Sequence, residues 1–204
     1  MLKKLISYLV KGNIYIIYQL EPACLQSMDR IRGDIALEPI SENNIEDVTS
    51  LFPREKVPIF REKLMKGCIG VFARHDSRVV GYQWRKDYDV ARTVKVDGYI
   101  PLKGRFSHLH FARVSDVIRG RGILSCMMAY LVSNALDRGY VDIYTDCELD
   151  NPAANRGVMK FGFKEKFRLV VVNLFGRKLP IRYHGKNKDA PCSFVQAYKY
   201  DVSL

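Results

Sequence analysis

The stretch that most constrains this chain is Arg119-Gly120-Arg121-Gly122, which carries a strand-like segment ending at Val114 into a long apolar helix. Gly120 and Gly122 permit a tight turn and let an anion approach the main-chain N–H groups. The first N–H groups of the helix that follows lack intrahelical acceptors and sit at its positive dipole end, so they attract phosphate. Arg119 and Arg121 add two cations at the same place. Each charge-assisted hydrogen bond there contributes about 1.5–3 kcal/mol, so three or four hold a pyrophosphate firmly.

Two common pyrophosphate patterns fail. A P-loop needs Gly-x-x-x-x-Gly-Lys-Ser/Thr and a dinucleotide fingerprint needs Gly-x-Gly-x-x-Gly, whereas Gly120-x-Gly122 runs into Ile123, Leu124 and Ser125. Taken alone, the turn fits a solvated basic loop as well as a binding site. A second segment changes this. Asn151-Pro152-Ala153-Ala154 followed by Lys160-Phe161-Gly162-Phe163 reads as a short helix capped by Asn151 and ended by Gly162, with an amphipathic helix and the apolar strand Tyr140 to Cys147 lying between the two motifs. In this order the two motifs resemble those of the GNAT superfamily, the acetyl-CoA-dependent N-acyltransferases.

The rest of the chain suits an α/β fold of this type, a mixed, mostly antiparallel sheet flanked by helices in a single domain. Residues 1–34 read as an N-terminal extension with an amphipathic helix and a strand, Asn13 to Leu20, and residues 35–204 as the acyltransferase domain. Ser41 is placed to cap a helix striped by Ile45, Val48, Leu51 and Phe52, stopped by Pro53. A second helix covers Val57 to Lys66, and a hairpin follows from Cys68 to Trp84 around His75-Asp76-Ser77-Arg78. Lys86 to Gly104 shows no period and reads as a long loop. Phe106 to Val114 reads as a strand, Gly122 to Arg138 as a broadly buried helix, and Phe163 to Phe175 and Phe194 to Tyr200 as closing strands.

A net charge of +11, from 33 Lys and Arg against 22 Asp and Glu, favours an anionic ligand or surface. No aromatic-basic recognition motif accompanies it, so nucleic acid is not the expected partner. Five scattered cysteines without Cys-x-x-Cys spacing fit reduced thiols in the cytoplasm. The four histidines have no zinc-type spacing with these cysteines, and no metal is expected. Leu2, Leu5, Ile6 and Leu9 form a short apolar stripe among lysines, too short to span a membrane; weak contact of residues 2–11 with a membrane surface and docking on the protein's own domain both stay open.

The resemblance implies acetyl-CoA, or another acyl-CoA, as cofactor. It implies that the pantetheine arm lies along Ala112, Arg113 and Val114, that the pyrophosphate sits on Arg119, Gly120, Arg121, Gly122, Ile123, Leu124 and Ser125, and that Asn151 flanks the cofactor. Leu124 departs from the small residue usual in the motif, and Val158 stands where many members carry the tyrosine that protonates the leaving thiolate. Tyr144, Tyr183 and His184 are substitutes by residue type alone.

His108 and Asp146 fall where members carry a catalytic carboxylate, and an ordinary imidazole pKa near about 6.5 puts His108 first as general base. His110 shares its strand face. Tyr82, Trp84 and Arg85, which mix aromatic rings with charge, and the Lys86 to Gly104 loop are the acceptor contacts that the resemblance implies. The implied reaction moves a short acyl group to a primary amine of a small molecule, with anionic and amino-sugar acceptors both open. Val158 keeps a non-catalytic acyl-CoA sensor as the alternative, and monomer and homodimer both remain open.

Overall fold

The segment Ile14 to Tyr18 is apolar on both faces, and such a strand must be covered on both sides. In the computed structural model, which describes residues 10–21, 34–51, 54–174 and 177–183, it lies in β1 (Val10–Leu20), inside an eight-stranded sheet. The other strands are β2 (Ala36–Pro39), β3 (Ile69–His75), β4 (Arg78–Val96), β5 (Ile100–Val114), β6 (Asp142–Glu148), β7 (Phe163–Leu174) and β8 (Arg177–Tyr183). Their order is β2-β3-β4-β5-β6-β1-β7-β8. The β5–β6 pair is parallel and the others antiparallel, as the resemblance implied. Residues 1–34, expected as an extension ahead of the core, thus supply an interior strand of the same sheet.

One sheet face is covered by α2 (Ile123–Asp137) and α3 (Pro152–Phe161). Met127, Met128, Leu131, Val132 and Ala135 of α2 and Val158 of α3 pack there on Tyr18, Val71, Leu109 and Ile143. Side chains alternate along a strand, so Phe72 and Phe106 point to the opposite face. Two separate covers protect that face. Val57 and Phe60 of α1 (Val57–Met65), with Ile45 and Val48, sit over Phe72, Tyr82 and Trp84. Val96, Tyr99, Ile100 and Leu102 sit over Ile17, Phe106, Phe167 and Leu169.

The second cover corrects the reading of residues 86–104 as a loop. They belong to a long β4–β5 hairpin whose turn holds Asp97 and Gly98 in the left-handed region, at φ 50° and 83°. The hairpin folds back on the sheet. Eight residues of straight strand from Ile100 to His108 would span about 26 Å, yet an Asp97 carboxylate oxygen lies 3.9 Å from the His108 ring. A register shift between Val90 and Val94 and a positive φ at Gly104 provide the bend.

Ser41 is not the cap expected of it. The turn over Ile45–Ser50 is a 3-10 helix preceded by Asn44, and the Ser41 N–H donates to Asn44 Oδ1 at 2.8 Å. The strand Phe194 to Tyr200, Phe52, Pro53, His184 and residues 2–9 lie outside the described residues; among those described, no helix is long and apolar enough to cross a membrane.

Ile17 is fully buried beneath the folded hairpin. Ile17→Ala should therefore lower unfolding stability in urea by about 2–5 kcal/mol, and a loss under about 1 kcal/mol would contradict an interior β1.

Candidate active site

β5 runs beside β6 only from Phe106↔Asp142 to Leu109↔Thr145. Beyond that point β5 continues along β4 to Val114 and β6 continues along β1 to Glu148. Among the described residues the β5–β6 ladder thus stops short of the stretch from His110 to Val114, which includes Ala112 and Arg113 and which continues to pair with β4. A bulge drives the separation: Tyr82 pairs with Arg113 and Trp84 with His110, so β5 carries one residue more than β4, and Phe111 sits at φ 48°. Bulges bend and twist the strand that holds the extra residue.

The parted end of β5 leads to the glycine turn. Gly120 and Gly122 adopt φ 81° and 78°, and Gly122 caps α2 without any side-chain hydrogen bond. The first amides of α2, at Ile123, Leu124 and Ser125, thus remain for an external acceptor. Leu124 is compatible with this: its side chain turns inward, with Cδ2 3.5 Å from the Cβ position at Gly157 of α3. Arg119 pairs with Asp116, while Arg121 is exposed. Asn151 caps α3 by accepting from the Ala154 N–H at 3.1 Å, and Gly162 ends that helix at φ 115°.

Between the two covers of the opposite sheet face lies a cleft of about 430 Å³, lined by Lys63, Asp97, Tyr99, His110, Phe111 and Asp146. Asp146 of the lining joins the fully buried His108 behind it, so that the two expected bases form one unit. His108 Nε2 lies 2.9 Å from Asp146 Oδ1, and the Tyr99 hydroxyl donates to Oδ2 at 2.9 Å. Burial pushes the Asp146 carboxyl up, but the hydrogen bond and charge of His108 and the Tyr99 hydroxyl outweigh it and the net direction is down. An ionised carboxylate only accepts, so Nε2 carries the proton in this contact, and in the tautomer that it fixes the lone pair would lie on Nδ1. Burial and the Asp146 charge raise Tyr99 and keep it protonated.

His110 stacks on His108 at 5.4 Å between centroids, and burial, then His108, lowers it to about 3, so it is neutral. Burial lowers the Lys63 ammonium, which lies 4.5 Å over the Phe111 ring.

The model of the acetyltransferase (GNAT) family matches residues 37–163. The chain belongs to this family. No curated protein matches it in sequence. Among solved structures it is similar to a functionally unknown conserved protein from Staphylococcus epidermidis, with TM-score 0.57 and 16% identity over 84% of this chain and 66% of that one. It is also similar to a GNAT-family acetyltransferase from Colwellia psychrerythraea, with TM-score 0.55 and 15% identity over 80% of this chain and 56% of that one. The aminoglycoside N-acetyltransferase AAC(6')-Iy, solved with CoA, gives TM-score 0.52 and 17% identity over 66% of this chain and 91% of that one. At such identities the likeness is one of fold. The chain spans 66% and 56% of the lengths of the first two.

Burial corrects one expectation. Tyr82, Trp84 and Arg85 are interior residues and do not line the cleft. Tyr82 and Trp84 pack edge-on against Phe60. Arg85 turns under α2, donating to the Leu131 carbonyl at 2.6 Å and to Asn134 and Asp87 at 3.0 Å. Val158 is buried against the sheet. Tyr144 packs on Phe106 and is not among the cleft residues. Lys63 and Phe111 were not among the expected site residues, whereas Asp97 and Tyr99 belong to residues 86–104, expected as part of the acceptor side but as a loop; the Asp97-Gly98 pair between apolar alternations was the available hairpin signal.

Arg85 is therefore a structural ion. Arg85→Ala should cost about 3–5 kcal/mol by leaving Asp87 without its buried partner, measured by chemical denaturation; a selective rise in amine KM at unchanged stability would restore its assignment to the acceptor site.

Proposed function

We propose that the protein transfers a short acyl group from acyl-CoA to a primary amine of a small molecule, using the Asp146–His108 pair to accept the amine's proton. The observation that carries this reading is the parting of β5 from β6, which opens between the glycine turn and the His108 cleft. The cofactor fits what is present: left-handed Gly120 and Gly122, the uncapped amides of α2, and the side of β5 at Ala112 to Val114 that lies beyond the end of the β5–β6 ladder. When bound there it supplies an activated thioester.

This chain's residues then do three things. The side of β5 at Ala112 to Val114 would hold the acyl donor, and a main-chain N–H there would favour the charge that develops on its carbonyl oxygen. The cleft residues hold the amine in line with it, and positioning alone supplies about 7–11 kcal/mol. Asp146 fixes the His108 tautomer and orientation while Tyr99 steadies Asp146, so that Nδ1 is the basic atom. A histidine held in this way favours the enzyme over the sensor.

The acceptor class follows from the walls. Asp97 and Asp146 suit a cationic amine, and the Lys63 ammonium suits an anionic substituent on the same molecule. Amino sugars remain among the classes to test, and the aminoglycoside N-acetyltransferase AAC(6')-Iy is a neighbour in fold.

Calorimetry with acetyl-CoA should show binding, weakened about tenfold or more by Gly122→Val, whose side chain resists φ 78°. Product formation from an amine panel should fall about 10²–10⁴-fold in kcat for His108→Gln while acetyl-CoA affinity holds. Absence of acetyl-CoA binding by the wild type overturns the proposal, and unchanged kcat in His108→Gln removes the histidine from its role.

A further inference from the structure

Two buried ring nitrogens, Nδ1 of His110 in the cleft wall and Nδ1 of His108 stacked beside it, have no hydrogen-bond partner. A buried lone pair left unserved is costly, and such an orphan asks for an electrophile. Asp97 is the nearby anion, with Oδ2 3.9 Å from His108 Nδ1 and its side chain 43% exposed at the hairpin turn. One ligand atom from each of Asp97, His108 and His110 lies within 4.8 Å of the others. We propose that Asp97, His108 and His110 form a binding site for a divalent cation of the zinc class, open to the amine cleft.

Two imidazoles and one carboxylate are the donor set of three-ligand sites for zinc and neighbouring metals, with the remaining position free for water or another ligand. The support behind the ligands is also in place. A ligating histidine usually donates its other ring N–H to a carboxylate, which fixes the tautomer and raises its basicity; His108 does so to Asp146. Ligand atoms about 2.0 Å from a tetrahedral zinc lie about 3.3 Å apart, so the cluster must tighten. The exposed Asp97 side chain can swing inward, while both histidines stay fixed by the strand.

The consequence rests on the function proposed above, because the cation would take the Nδ1 lone pair assigned to proton acceptance. Cation and amine then compete, and the metal inhibits. The expectation of no metal came from looking for cysteine-histidine spacing; here the ligands are a His-x-His pair on one strand face and an aspartate brought over it by a folded hairpin.

The test is a titration of the full chain, first stripped with a chelator, with Co²⁺ as the optical probe and Zn²⁺ as the competitor. One equivalent of Co²⁺ should give visible d–d absorption without a sulfur-to-cobalt band, and Zn²⁺ should displace it. Asp97→Ala and His110→Ala should each weaken binding about tenfold or more, with acetyl-CoA affinity by calorimetry reporting that the fold persists. No absorption, a thiolate band, or binding indifferent to both substitutions overturns the site. Inhibition is read as N-acylated product by mass, with amine raising the Zn²⁺ needed. Absence of any acyl transfer would overturn the assigned function and the inhibition while leaving the optical titration to decide the metal site by itself.

Discussion

β5 and β6 keep company for four residue pairs and then separate, and the proposed function depends on that separation. Parallel strands pair through evenly spaced bonds, and the ladder that carries them stops before the side of β5 from His110 onward. The bulge at Phe111 bends β5 aside, and α2 begins at the glycine turn just past its end. The same divergence exposes the end of β6, where Asp146 holds His108. In the proposed function, cofactor grip and proton transfer would thus meet along one break in the sheet.

The break would be a liability if the face around it were bare. Instead two covers flank it: α1 with the Ile45–Ser50 turn on one side and the folded β4–β5 hairpin on the other. Each contributes to the cleft. Lys63 comes from α1, and Asp97 and Tyr99 come from the hairpin tip. The site is therefore made by packing as much as by sequence motif, and loss of apolar contacts under the hairpin would be felt at Asp146 through Tyr99.

The glycine turn and the capped helix were legible in the sequence because they depend on short local patterns. Gly120 and Gly122 take the left-handed turn, Asn151 caps its helix and Gly162 ends it, each a property of a residue and its near neighbours. The acceptor side was not legible. Trp84 and Arg85 have the chemistry of a binding surface, and only the tertiary fold puts α2 and Phe60 over them. Residues 86–104 lacked a clean period because the hairpin is bulged and bent, and its inner face changes neighbours along its length. His108 and Asp146 were readable as separate candidates; their pairing depends on the register between β5 and β6.

Amide hydrogen exchange with and without acetyl-CoA tests the central claim most directly, because it reports on the side of β5 beyond the ladder. Saturating acetyl-CoA should slow exchange in 110–114 and 120–125, leaving 69–75 of β3 unchanged. Protection confined to other segments, with 110–114 exchanging as before, would contradict the claim that the parted strands receive the cofactor.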